Sequence, residues 1–512
     1  MKKLLSLVLA LAMILMVGAA FAQTVGTAAD GTGTITISNA AKGETYSIVK
    51  IFDATITNDA TATTDATGIA YTGTIPDDLS AYFETDSTGN IIRKATATDD
   101  AALVTAVQAY AKKQTATASA TSDGSVLTFQ GLTYGYYAVI SSQGATVTVD
   151  SLRPNATVRD KNTKEITADK VVKNVSYSIG DKIDYTATFD TVNFYGSGDD
   201  AEQVIKYTIT DTLPEFLSNV VIDSVIVTKK DGTTTDATIT GKSFGTNGSF
   251  DIDWADEVTP ETNPKTYTSK YDNGAKIIVT YHGTLTSVTN INTADTNTIK
   301  IQPTTVKPDG TTEEPWDDKW QDDAEIKTYA AALKKVDEKG QTLAGAEFSF
   351  TGLTVTDGDA AGEYIVVSYN PSSTTESASL ATNDNGMLYI VGLASDVSLN
   401  GTETKAPNGY NKLTTSITLV PQIMTTDIYT TSGSIKYDAK GNVIASEATA
   451  SSTRTVQKNL TDLDENAVVV ENRKGTELPS TGGIGTTIFY VLGGLLVVGA
   501  AVILVARRKA HE

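Results

Sequence analysis

The chain reads as a tandem of Greek-key β-sandwiches, mostly β, with a signal peptide at its N-terminus and a transmembrane helix at its C-terminus. Three observations predict this. Short runs rich in threonine, valine, isoleucine and tyrosine alternate apolar and polar residues with period two, as half-buried strands do. Turn-forming residues separate these runs at short intervals. Long uncharged, largely apolar stretches occur at the two ends, Leu4 to Val17 and Ile484 to Ala506.

From the N-terminus, Lys2 and Lys3 precede the first apolar stretch, and Ala20-Phe21-Ala22 supplies a small-x-small cleavage site. Residues 1–22 therefore read as a secretory signal peptide, with the mature chain starting near Gln23. Strands are expected at 34–38 (TITIS), 147–152 (VTVDSL), 224–230 (SVIVTKK), 276–285 (KIIVTYHGTL) and 465–474 (ENAVVVENRK). One helix is expected, led in by Asp99-Asp100 and running from Ala101 to Lys113. Its acidic start and basic end match the positive N-terminal and negative C-terminal poles of a helix.

Without the signal peptide and the C-terminal tail that starts at the LPSTG motif, about 455 residues remain, enough for three domains of ordinary size. The blocks divide at 23–160, 161–321 and 322–474, each opening and closing on a strand. Residues 475–512 form the tail. Its apolar run, Ile484 to Ala506, is uncharged and at about 1.5 Å per residue exceeds the ~30 Å of a bilayer core. Arg507, Arg508 and Lys509 then hold the C-terminus on the cytoplasmic side.

Composition narrows the function. The chain has no cysteine, so neither a disulfide framework nor a thiol nucleophile is available. A formal charge of -21 opposes nucleic-acid binding. Of the two histidines, His511 lies in the tail and His282 inside a strand pattern, and no Gly-x-Ser-x-Gly or His-Glu-x-x-His motif occurs. The chain is not expected to be an enzyme, nor to carry a cofactor or metal. Asp251, Asp253 and Asp256, and Asp317, Asp318, Asp322 and Asp323, lack EF-hand spacing and read as solvated acidic loops.

Leu478-Pro479-Ser480-Thr481-Gly482, the apolar run and the basic tail stand in the order of a Gram-positive cell-wall sorting signal, with serine as the x of LPxTG. Pro479 lacks an amide hydrogen and keeps the motif extended. The resemblance implies cleavage by sortase between Thr481 and Gly482, transient membrane anchoring through the C-terminal helix, and covalent attachment to the cell wall. In the third block, Lys335-Val336-Asp337 through Leu343-Ala344-Gly345-Ala346-Glu347-Phe348 resembles the opening of collagen-adhesin B-type (CnaB) domains. Glu403-Thr404-Lys405-Ala406-Pro407-Asn408-Gly409-Tyr410 resembles their E-box, and Val468-Val469-Val470-Glu471-Asn472 their closing strand. The resemblance implies an internal isopeptide bond from Lys335 to Asn472, assisted by Glu403 facing the asparagine carbonyl.

The second block resembles the middle domain of backbone pilins through Asp169-Lys170-Val171-Val172-Lys173, Asp211-Thr212-Leu213-Pro214 and Asn297-Thr298-Ile299-Lys300-Ile301. By analogy Lys170 would bond to Asn297 with Asp211 assisting, and Asn292 is a rival for the closing position. Period-two alternation puts Lys170 on the face of Ile166, Ala168 and Val172, and Lys173 on the other. The first block resembles the N-terminal domain of these pilins but offers no comparable trio. At its end, Val158-Arg159-Asp160-Lys161-Asn162 resembles the segment that carries the linking lysine of backbone pilins, with Arg159 and Asp160 in place of Tyr-Pro. Lys161 is the candidate for linkage to Thr481 of another copy, and Lys164 the second candidate.

The resemblance implies a major pilin, the shaft subunit of a covalent pilus. Its partners would be pilus-specific and housekeeping sortases, further copies of itself, tip and base pilins, and peptidoglycan. The alternative is a monomeric wall-anchored adhesin or ancillary pilin that binds a host receptor.

Overall fold

The computed structural model describes residues 23–509 except 30, 58–65, 144–145, 153–154, 162–163, 259–263, 288–293, 423–434, 438–442, 447–459 and 476–483. The signal peptide, the pentapeptide 478–482 and Asn292 lie outside the described residues. The rest is mostly β, and the chain divides between Lys327 and Thr328 into two compact units.

In the first unit, the strand Thr32–Ile37 turns Ile35 and Ile37 inward and its threonines outward. It pairs antiparallel with Leu127–Thr133 and parallel with Asn155–Val158. A second sheet is built on Thr45–Ile56 paired with Gly135–Ser141. Tyr46, Ile48, Phe129, Tyr137 and Val139 close the core with the two isoleucines. The expected helix spans Asp100–Ala111, and Asp99 caps it by accepting from the Ala102 amide at 3.0 Å. Leu103, Val107 and Ala111, spaced by four, lie on one face and pack against Val49, Phe52 and Phe83.

The second block contributes two facing sheets to the same unit. One runs Thr167–Val172, Lys182–Asp190, Lys276–Leu285, Leu217–Thr228, Thr235–Thr238, antiparallel throughout. The other centres on Glu202–Asp211 paired with Ala294–Val306. Alternation buries Ile183, Tyr185, Ala187 and Phe189 from one strand and Ile277, Val279, Tyr281 and Leu285 from its neighbour. The strand Gln321–Lys327 pairs with Ala294–Lys300, so it completes the second block. The boundary expected after Gln321 therefore falls after Lys327, because Ala324 and Ile326 are buried in that ladder.

The two blocks of this unit are joined by a closed ring of hydrogen bonds. The Lys42 amide donates to Asn193 Oδ1, the Asn193 amide to Asn273 Oδ1, and the Asn273 amide to the Lys42 carbonyl, each at 2.8 Å. Both asparagines are fully buried.

The second unit has a five-stranded sheet ordered Leu353–Asp357, Glu363–Tyr369, Met387–Leu393, Tyr329–Asp337, Val468–Asn472. Its first and last strands in chain order are parallel neighbours, with Lys335 opposite Val470 and Asp337 opposite Asn472. A second sheet, Leu380–Ala381, Glu347–Phe350, Leu399–Lys405, Ile417–Leu419, carries Glu403. Phe348, Phe350, Leu333, Leu388 and Ile390 are fully buried. The C-terminal helix spans Ile484–Lys509.

Candidate functional site: two buried lysine clusters

A lysine in the first strand of the second unit points into the core. Lys335 is 0% exposed, held there because its strand is buried on both faces. Its Nζ donates to the Val470 carbonyl at 2.8 Å and lies 4.0 Å from Glu403 Oε1. The Asn472 amide nitrogen donates to Glu403 Oε1 at 2.8 Å and to Oε2 at 3.1 Å, and the Leu413 backbone amide donates to Oε2 at 2.7 Å. Burial penalises the ammonium form and brings the Lys335 pKa down to about 8, against the pull of Glu403. Glu403 thus faces the nitrogen of the amide, where its carbonyl was expected. A carboxyl that already accepts from Leu413 presents acceptor oxygens, and those select the N–H side of the amide. Asn472 Oδ1 is buried and accepts no hydrogen bond.

The second block holds an analogous cluster. Lys170 is at an edge strand yet 4% exposed, because its backbone amide is tied to Asp322 Oδ2 at 2.6 Å and its side chain enters between the sheets. Its Nζ donates to Asp211 Oδ2 at 3.1 Å and to the backbone carbonyl of Asn297 at 2.8 Å. The amine sits over the rings of Tyr185 and Tyr281, at 5.0 and 5.6 Å from their centroids. Those rings stack at 5.1 Å. Burial lowers the Lys170 pKa to about 8, while Asp211 opposes the shift.

Asp211 ends its strand, and the turn that follows puts Leu213 at φ 43°, in the left-handed region. That turn lets the Leu213 amide donate back to Asp211 Oδ1 at 2.8 Å and fixes the carboxyl. Tyr281 donates its hydroxyl proton to Asp211 Oδ2. The Asn297 amide nitrogen donates to the Tyr281 oxygen at 3.4 Å, and the Thr212 hydroxyl donates to Asn297 Oδ1 at 3.2 Å. Burial and the neighbouring Asp211 push the Tyr281 phenol pKa far up, so the hydroxyl stays protonated.

Both trios read from the sequence therefore meet in space. Lys161 and Lys164 are exposed. Asp160, the residue before Lys161, is buried. It accepts from Tyr46 Oη at 2.7 Å, Gln143 Nε2 at 2.8 Å and Ser141 Oγ at 3.1 Å. Asn39 holds its backbone from both sides, at 2.6 and 3.0 Å. Tyr281 stands outside the motifs, while Thr212 and Asp160 stand within them without a contact having been expected of either. The alternation that buries Ile277 and Val279 also turns Tyr281 inward, so its direction was readable.

Asp251, Asp253, Asp256, Asp322 and Asp323, expected in solvated loops, lie in strands, where Asp251 pairs with Lys206 and Thr208, Asp256 with Lys270, and Asp322 with the Lys170 amide. Asp184, Asp223 and His282 cluster on the sheet surface, where Asp184 is ion paired with Lys182 at 2.7 Å.

Residues 330–433 match the SpaA family, described as a prealbumin-like fold domain, and residues 471–512 match the LPXTG cell wall anchor motif. The chain is a cell-wall-anchored protein. Lys335 and Glu403 fall within the prealbumin-like segment of this anchored protein, and Asn472 within its anchor segment. Its apolar helix over Thr487–Lys509 has mean hydropathy 2.7 and is long enough to cross a membrane before sorting. No curated protein matches the chain.

The solved structures similar to it include three pilus proteins. The group B streptococcus pilus 2b backbone protein is 25% identical over 61% of this chain and 99% of its own, with a TM-score of 0.38. The full-length major pilin RrgB from Streptococcus pneumoniae is 12% identical over 85% and 94%, with a TM-score of 0.37. BcpA, the major pilin subunit of Bacillus cereus, is 14% identical over 86% and 99%, with a TM-score of 0.33.

Proposed function

We propose that this anchored protein is the shaft subunit of a covalently polymerised pilus, reinforced by internal Lys170–Asn297 and Lys335–Asn472 isopeptide bonds. The observation that carries the reading is the pair of buried clusters, each with a lysine, a carboxyl and an asparagine gathered between opening and closing strands.

The chemistry follows from the environment of each amine. An ammonium is not a nucleophile, and a pKa near 8 leaves about a tenth of each lysine neutral at pH 7. The neutral Nζ attacks the asparagine Cγ, the Cγ–Nδ2 bond breaks, and ammonia leaves with the proton given up by the amine. Glu403 and Asp211 carry that proton. The folded sandwich holds amine and amide together, so the reaction is unimolecular.

Between copies, sortase cleaves Thr481–Gly482 and the threonyl carbonyl passes to an exposed lysine, with Lys161 the candidate and Lys164 the second. The Thr481–Gly482 amide breaks and a Thr481–lysine amide replaces it. Tension in such a polymer enters at Lys161, crosses the second and third blocks, and leaves at Thr481. Both proposed internal bonds lie on that path.

The cell-wall fraction, boiled in denaturant and run on a gel, tests the polymer. A ladder of high-mass species lost in Lys161→Ala and kept in Lys164→Ala supports the reading. Monomer alone from wild-type cells would sink it. Intact mass of the mature chain tests the internal bonds: two reactions remove two ammonia molecules, about 34 Da.

A further inference from the structure

We propose that Tyr281 is a catalytic residue of the Lys170–Asn297 bond, relaying the proton from Asp211 to the leaving nitrogen of Asn297. The proposal rests on the reading that this bond forms.

The two clusters differ in reach. In the second unit one carboxyl serves both ends: Glu403 touches the Asn472 amide nitrogen at 2.8 Å and lies 4.0 Å from the lysine Nζ. In the second block the carboxyl is one carbon shorter. Asp211 Oδ2 meets the amine at 3.1 Å, and the next link to the amide is the Tyr281 hydroxyl, which bonds the same Oδ2 and sits 3.4 Å from Asn297 Nδ2. Aspartate and tyrosine in series thus span what glutamate spans alone.

The amide is oriented for such a transfer. Thr212 Oγ1 accepts from the Thr298 backbone amide at 3.2 Å and gives its own proton to Asn297 Oδ1 at 3.2 Å. The carbonyl oxygen therefore faces a donor as negative charge builds on it, and the nitrogen faces Tyr281.

The step balances without another reactant. Starting from neutral Lys170, Nζ bonds to Cγ of Asn297 and passes one proton to Asp211 Oδ2. Once Asp211 is protonated, the Tyr281 hydroxyl, which donated to Oδ2 and accepted from Nδ2, reverses both bonds: it gives its proton to Nδ2 and takes the proton from Asp211. Nδ2 leaves as ammonia, and Asp211 and Tyr281 end as they began. Burial of all four groups keeps water from short-circuiting the chain.

The test uses the full chain made by cell-free synthesis, quenched at intervals, with the crosslinked Lys170–Asn297 peptide quantified by mass spectrometry. The Lys335–Asn472 peptide is the internal control. Tyr281→Phe keeps the ring and removes the relay, so formation should slow by about 10²-fold or more at the first site and stay unchanged at the control. Adding Asp211→Glu to Tyr281→Phe should recover at least about tenfold, because the longer carboxyl reaches the amide directly. A purely structural tyrosine would gain nothing from that change. Tyr281→Phe at the wild-type rate, or slowed with no recovery in the double variant, overturns the relay. If either variant loses the wild-type circular dichroism spectrum, difluorotyrosine at 281 decides: a changed rate supports the relay and an unchanged one overturns it. A wild-type chain without the Lys170–Asn297 peptide overturns the underlying bond instead.

Discussion

The side-chain amide of Asn472 faces the carboxyl of Glu403, donating to one oxygen at 2.8 Å and to the other at 3.1 Å. Both groups are buried, and the neighbouring Lys335 has its own donor contact to the Val470 carbonyl. The three groups are tied to strands far apart in sequence, so a bond among them would close a loop of more than a hundred residues.

Glu403→Gln should leave that loop open. The carboxyl that shuttles the proton becomes an amide, and the chain should keep one more ammonia, about 17 Da, than wild type. By the loop-closure entropy of a crosslink of this span, the second unit should lose about 4–5 kcal/mol against chemical denaturation. Intact mass and a denaturant titration measure the two effects. A glutamine variant whose mass differs from wild type only by the substitution itself would remove Glu403 from the chemistry.

An unreacted Lys335 should make stability depend on pH. Asn472→Ala leaves the amine buried with a folded pKa near 8, below its ordinary value. Between pH 8 and about 10.4 the unfolded chain binds more protons than the folded one, so stability of the variant should rise with pH in that window, by at most about 1.4 kcal/mol per unit. Wild type, with the amine consumed, should lack this rise. Denaturant titrations of both proteins from pH 7 to 10 check the sign.

Much of this was legible in the sequence. The expected strand 276–285 is found as Lys276–Leu285, and alternation placed Lys170 on the buried face. Tyr281 was legible as inward-facing but not as a participant, because its role depends on how far Asp211 reaches across to another strand. The strand Gln321–Lys327 was hidden by Asp322 and Asp323, which read as part of a solvated acidic loop although Ala324 and Ile326 alternate behind them. Asp322 has a tertiary reason to be there: it holds the Lys170 backbone amide. Asp160 looked like a departure from a motif, and it is a buried acceptor for three side chains.

Asp160→Ala should destabilise the first block by about 1–3 kcal/mol, because the hydroxyl groups of Tyr46 and Ser141 and the Gln143 amide lose their shared acceptor. Burial raises the Asp160 pKa in the folded state. Its contribution is therefore fullest below the ordinary aspartate value of about 4 and declines as pH rises through the raised folded value. The stability difference between wild type and Asp160→Asn should shrink over that rise, as thermal melts from pH 3 to 7 would show. A difference that grows with pH would refute this assignment.

Asn193→Ala should loosen the first block from the second without unfolding either. The Asn193 side chain accepts from the Lys42 amide at 2.8 Å and donates to the Tyr271 carbonyl at 3.0 Å, and it is fully buried. Truncation leaves the Lys42 amide across the junction and the Tyr271 carbonyl within the second block unsatisfied, at a cost of about 1–3 kcal/mol that falls outside either apolar core. The cores of Ile35 and Tyr46 on one side and Ile183 and Tyr281 on the other keep their own contacts. Hydrogen exchange should therefore quicken at the Lys42 and Asn273 amides, which belong to the ring, and stay slow in the strand Lys276–Leu285. Faster exchange throughout Lys276–Leu285 would mean that the ring supports the second block itself, and the junction would then have no separable stability.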